Sequence, residues 1–223
     1  LIEICFLTHK YHLIVLSYRN EIESLGDHMS LVHTAPTLRL ALVKRTDALA
    51  NTILVTAGTL FIAAMAQLSL PLPGSPVPFT GQTLAVLLIG TAYGSQLGAL
   101  TIFTYLSAGL IGLPFYTHGG HGFSHLSGAT GGYLVGMLIA AYVSGLLAER
   151  KWDQTLLRAI PAMLISNIAI FGLGLIWLHQ VTAQPWSWTV AHGLTPFILV
   201  EIIKVSLAST SLPFVWRLLA RLK

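Results

Sequence analysis

Charge is the scarcest commodity in this chain. Only 9% of its 223 residues are Asp, Glu, Lys or Arg, and none lies between Ala48 and Ala148. A soluble domain is nearer a quarter charged, so the composition excludes an ordinary water-soluble fold. Cysteine is almost absent as well. Cys5 stands alone, which rules out an intrachain disulfide or a cysteine-based metal site. No phosphate-binding glycine loop, no Ser–His–Asp set in motif context and no paired carboxylates occur, and no solenoid period repeats. The reading is therefore of a non-enzyme that needs no cofactor. If it moves a solute uphill, its energy source lies elsewhere.

What is present is apolar. Hydrophobic residues make up 54% of the chain, with a mean hydropathy of +0.74, which places the chain in a bilayer. Formal charge is +4 and the pI about 9.4. Because Lys and Arg fall at the edges of apolar runs, the excess follows the positive-inside rule, and nucleic acid is not an expected partner.

Residues 1–48 read as an N-terminal extension, and 49–223 as one membrane domain. Glu3, His9, Lys10 and His12 interrupt the first apolar stretch, so nothing there is long enough to span. With Met29 the first methionine, residues 1–28 read as an over-extended gene start, the alternative being a short helix at the membrane surface. Arg39, Lys44 and Arg45 form a basic collar. Six spans follow, at about 49–70, 81–93, 95–113, 132–148, 159–178 and 189–216. Basic residues precede the first, follow the fourth and follow the last. The expected fold is all-α and integral to the cytoplasmic membrane, with both termini cytoplasmic. Two Pro/Gly-rich loops, 71–80 and 114–131, then cap an outward-facing pocket, beside a loop flanked by Trp177, Trp186 and Trp188.

Thr52, Thr56, Thr59, Ala63 and Ala66 share one face of the first span. Small residues let another helix approach closely, either within this chain or on a partner subunit. In the last span Glu201 and Lys204 are three residues apart, on one face, in otherwise apolar surroundings. Buried charges usually face each other or a cavity, and ligand contact is the expectation. His118, His121 and His125 lie in a glycine-rich loop without a carboxylate. They are expected to line a loop or pocket rather than to hold a metal, and the glycines argue against a helix presenting them. Asn167 is an amide inside the fifth span. Thr80, Gln82 and Tyr133 flank the two loops, while Phe79, Phe115, Tyr116, Phe123 and Trp186 are candidates for an apolar lining.

Four segments carry a family resemblance: SPVPFTGQTLAVLLIG (75–90), GLPFYTHGGHG (112–122), SGATGGYLVG (127–136) and PFILVEIIK (196–204). Together they resemble the BioY family, the biotin-binding S subunits of energy-coupling-factor transporters. The resemblance implies a six-helix subunit that binds biotin from outside and works with a transmembrane T subunit and two ATPase subunits. It implies docking of the T subunit on the small-residue stripe of the first span. Taken with the residue reading above, the expected ligand contacts are Glu201, Lys204, His121, Gln82, Thr80, Phe79, Tyr116, Tyr133 and Asn167, the last with a helix–helix hydrogen bond as its alternative, and loop 71–80 is the expected lid. Glu201 stands where the family has Asp after Pro-Gly, and His121 falls where some members carry Asn. The competing readings are an S subunit for another vitamin, a stand-alone secondary biotin permease, and a membrane enzyme built on the histidine loop.

Overall fold

The computed structural model describes residues 37–43 and 47–222. The extension reading for 1–28 and the basic pair Lys44 and Arg45 lie outside the described residues. Residues 36–216 form one compact unit, which holds the candidate site described below.

The described chain is almost wholly helical, in this order: α1 (Leu38–Leu42), α2 (Ala48–Gln67), α3 (Gln82–Tyr93), α4 (Ser95–Leu110), α5 (Gly122–Leu126), α6 (Gly131–Glu149), α7 (Leu156–Thr182), α8 (Trp186–Gly193) and α9 (Phe197–Arg221). Four of these, α2, α6, α7 and α9, are long and apolar enough to cross a membrane. α3, at 12 residues, and α4, at 16, occupy the second and third expected spans but are shorter.

The structure departs from the expected all-α architecture in one place. β1 (Ser69–Leu70) and β2 (Phe79–Thr80) pair antiparallel, joining the two ends of loop 71–80. With both ends tied, the intervening prolines form a compact flap and not a free linker. The expected sixth span also breaks. Residues 186–193 form α8, and the chain turns at Leu194–Pro196 before α9 starts. Pro196 has no N–H to continue the first helix and disfavours helical geometry at Thr195.

Helix α6 is the central element, in contact with α3, α4 and α7. Most of it is buried within the chain, whereas α2 is largely exposed. Small residues along α6, among them Gly132, Gly136, Ala140 and Ala141, account for the close approach. Between α3 and α4 the chain reverses in one residue. Gly94 makes this possible with φ of 88°, a conformation that other residues adopt only with strain. The Glu149 carboxylate, at the end of α6, then accepts from both Ser95 N and Ser95 Oγ at 2.8 Å. An acidic side chain from a neighbouring helix thus caps the positive end of α4.

The small-residue stripe of α2 divides. Thr59, Ala63 and Ala66 are buried against the rest of the chain, and Thr59 Oγ1 donates to Thr101 O on α4 at 3.3 Å. Thr52 and Thr56 are exposed. For the last three residues the stripe serves packing inside this chain.

Candidate functional site

Helix α9 places Glu201 and Lys204 one turn apart on its buried face. Their side chains pair at 2.6 Å. Helix α3 adds Thr83, whose hydroxyl donates to Glu201 Oε1 at 2.9 Å and accepts from Lys204 Nζ at 2.8 Å. From α7, Asn167 Nδ2 donates to Glu201 Oε2 at 3.0 Å. Three helices therefore converge on one carboxylate. Such a pair is held by its hydrogen bonds as much as by charge, because removing two ions from water costs several kcal/mol each.

This cluster forms one end of a narrow cavity. Glu201, Lys204, Thr83 and Gln82 line it, as do Thr80, Tyr133, Leu134, Met137, Ile170, Phe171 and Phe197. The aromatic wall is continuous. Tyr133 meets Phe171 edge-on at 5.8 Å, Phe171 lies 6.0 Å from Phe197, and Phe79 contacts Phe197 edge-on at 4.9 Å. Tyr133 is fixed at its far end, where its hydroxyl donates to Gly193 O in α8 at 2.9 Å. Gln82 donates to Tyr105 Oη at 2.7 Å, and Tyr105 in turn donates to Phe115 O at 3.2 Å.

Val77, Pro78 and Thr80 of one loop, and Thr117, His125 and Thr130 of the other, complete the lining. In the flap, Ser75 Oγ donates to His192 O of α8 at 2.7 Å. The glycine-rich loop is anchored by Gln67 at the end of α2, which donates to Tyr116 O at 3.0 Å and accepts from Gly119 N at 3.0 Å. His118, with φ of 56°, turns the loop back and approaches Ser69 Oγ at 3.3 Å. His125 sits on the short helix α5, so the loop's glycines do not exclude helix after Gly122; they serve the turn before it. Among the described residues, no three His, Cys, Asp or Glu side chains gather as metal ligands would.

Of the nine sequence-nominated contacts, Glu201, Lys204, Gln82, Thr80 and Tyr133 line the cavity. Asn167 and Phe79 stand one layer behind, against Glu201 and Phe197 respectively. Tyr116 is fully buried beneath the loop and donates to Leu106 O. His121 is exposed, with its ring against Gly119 O. The lining residues that sequence reasoning did not single out are chiefly Thr83, Thr117, Thr130, Phe171 and Phe197. Thr83 was within reach, since it adjoins Gln82 on a helix whose next turns are apolar.

The comparisons with known proteins agree with one another. A family model, that of the BioY family, matches residues 36–221. The chain is 36% identical over 159 residues to "Biotin transporter BioY2" of Lactococcus lactis, covering 70% of this chain and 84% of that protein. It is 35% identical over 163 residues to "Biotin transporter BioY" of Thermotoga maritima, covering 70% and 90%. Among solved structures, the S-component for biotin from an ECF-type ABC transporter aligns with a TM-score of 0.66 and 25% identity, over 80% of this chain and 94% of that one. The chain belongs to the BioY family.

Proposed function

We propose that this chain binds biotin and carries it across a membrane as the S subunit of an energy-coupling-factor transporter. It is a transporter subunit and not an enzyme, with biotin as cargo and no cofactor. The family match supports this, and one observation about the site carries the chemistry. A charge-neutral Glu201–Lys204–Thr83 cluster lies at one end of a cavity whose walls are aromatic and aliphatic. The ureido ring of biotin presents two N–H donors and one C=O acceptor, which match a carboxylate acceptor and an ammonium donor side by side. Its thiophane ring and hydrocarbon tail suit the wall formed by Phe171, Phe197, Tyr133 and Met137. Gln82 and Thr80 add polar contacts, Asn167 holds Glu201 in place, and Phe79 backs Phe197. Tyr116 and His121 support and cover the loop.

The finer assembly follows the same reading. Residues 49–223 form the S-subunit domain, with α2, α3, α4, α6, α7 and α9 as six spans in the cytoplasmic membrane and both termini cytoplasmic. A transmembrane T subunit and two ATPase subunits supply the energy. The exposed side of α2, with Thr52 and Thr56, is the docking face, and Thr59, Ala63 and Ala66 back it from inside.

The test is titration of the purified protein with biotin, followed by tryptophan fluorescence, with thiamine and riboflavin as controls. Saturable binding of biotin alone is expected. Glu201→Ala should weaken it tenfold or more, about 1.4 kcal/mol, and Lys204→Ala at least as much, each variant leaving an unpaired buried charge. Unchanged affinity in both variants would remove the cluster from the site. A folded protein that binds another vitamin instead would keep the S-subunit fold and overturn the substrate.

A further inference from the structure

The cavity has two chemically different ends. Pro78, Thr117, His125 and Thr130 line it and also line a second, outer depression beneath the flap, whereas Glu201, Lys204, Thr83 and Gln82 line only the inner one. The shared four residues therefore mark the mouth, and the ion pair marks the inner end. His125 is held at that mouth. Its Nε2 lies 3.3 Å from Thr117 Oγ1, and its ring stacks on Tyr116 at 5.1 Å. Residue 120 has to be glycine for the ring to lie there, because a Cβ at that position would fall 2.3 Å from His125 Nδ1.

Charge balance decides what each end can accept. The Glu201–Lys204 pair sums to zero, and Lys204 Nζ is already shared between Glu201 and Thr83. A ligand carboxylate brought to that end would put two negative charges against one positive charge in apolar surroundings, which is costly. The mouth differs. No Asp or Glu occurs between Ala48 and Ala148, so no carboxylate of these loops opposes a ligand anion there. Burial, with His118 and His121 nearby, lowers the pKa of His125 and favours the neutral imidazole, which still has one N–H to donate. The flanking Thr117 and Thr130 hydroxyls can each donate as well.

Building on the biotin reading above, we propose that His125 is the specificity residue for the carboxylate of the ligand. It receives the end of the valerate tail at the mouth, with Thr117 and Thr130 beside it, while the ureido ring faces Glu201 and Lys204. The imidazole N–H donates a charge-assisted hydrogen bond to the carboxylate oxygen. The ligand is thereby read at both ends, and its orientation in the cavity is set.

The probe pair is biotin and biotinamide, which share the ring system and the tail but differ in the carboxylate. Each is titrated into wild-type protein and into the His125→Ala, His125→Gln and Lys204→Ala variants, all checked for a monodisperse, helical state. Wild-type protein is expected to prefer biotin at least tenfold. Both His125 variants should lose about tenfold in biotin affinity and keep biotinamide within twofold, which collapses the preference. Lys204→Ala should weaken both ligands alike. Equal losses for the two ligands in the His125 variants, or a preserved preference there, would overturn the proposal. So would a preference lost in Lys204→Ala, which would put the carboxylate beside the ion pair. Wild-type protein that binds neither ligand would overturn the biotin reading itself, a result separable from all of these.

Discussion

At the scale of single residues, burial and hydrogen bonding decide what each polar group can do. Glu201 and Thr83 are 118 positions apart in sequence, yet their side chains meet at 2.9 Å, so one hydroxyl joins the ion pair to another helix. Away from the site, Asp153 shows the same logic on the turn between α6 and α7. It is 1% exposed, and its Oδ2 accepts from Trp216 Nε1 at 2.6 Å. Burial raises its pKa from 3.8 to about 6, partly offset by the Trp216 hydrogen bond. The folded state therefore holds its proton more tightly than the unfolded chain does. The stability this contributes is complete below pH 4 and falls as pH rises to about 6. It is flat above that, with a total change of about 3 kcal/mol. Asp153→Asn keeps the acceptor for Trp216 and removes the charge. Thermal melts in detergent from pH 4 to pH 8 should show a falling stability for wild type and a flatter profile for the variant. Parallel profiles would mean that Asp153 does not titrate in this window.

At the scale of elements, the flap and the short helix α8 act together. The β1–β2 ladder ties the base of the flap, and Ser75 ties its tip to His192 O. A side-chain hydrogen bond of this kind contributes about 1 kcal/mol. If it holds the flap over the cavity, Ser75→Ala should speed biotin release about fivefold, with little change in association. Stopped-flow displacement of bound biotin measures this directly, and an unchanged release rate would place the latch outside the gating motion. The flap was legible in sequence as a proline-rich loop between two apolar runs. Its latch was not, because His192 contributes a backbone carbonyl and no side-chain signal marks that. The break before α9 was partly legible, since Gly193 and Pro196 punctuate the segment. Hydropathy alone does not mark it, because apolar residues run through both pieces.

At the scale of the whole molecule, binding and transport separate. The described helices supply a ligand cavity, while the energy for uphill movement comes from partner subunits in the proposed assembly. Purified protein alone should therefore bind biotin in vesicles without concentrating it. Accumulation of radiolabelled biotin should appear only when T and ATPase subunits are present with ATP. Accumulation by the chain alone, driven by an ion gradient, would favour a stand-alone permease.

Sequence by itself determined the solvent this protein lives in, the approximate position of the four helices long and apolar enough to cross a membrane, and the pairing of Glu201 with Lys204. Those features are local. They depend on runs of about 20 apolar residues and on a three-residue spacing along one helix. Tertiary structure alone decided the rest. It turned Thr59, Ala63 and Ala66 inward and left Thr52 and Thr56 exposed. It also put His125 at the mouth and His121 in solvent, although both lie in one loop of near-uniform composition. Which side chain enters a cavity depends on backbone turns such as that at His118, and on contacts from helices far away in sequence. No local pattern encodes those contacts, because the residues that make them are specified only once the helices pack.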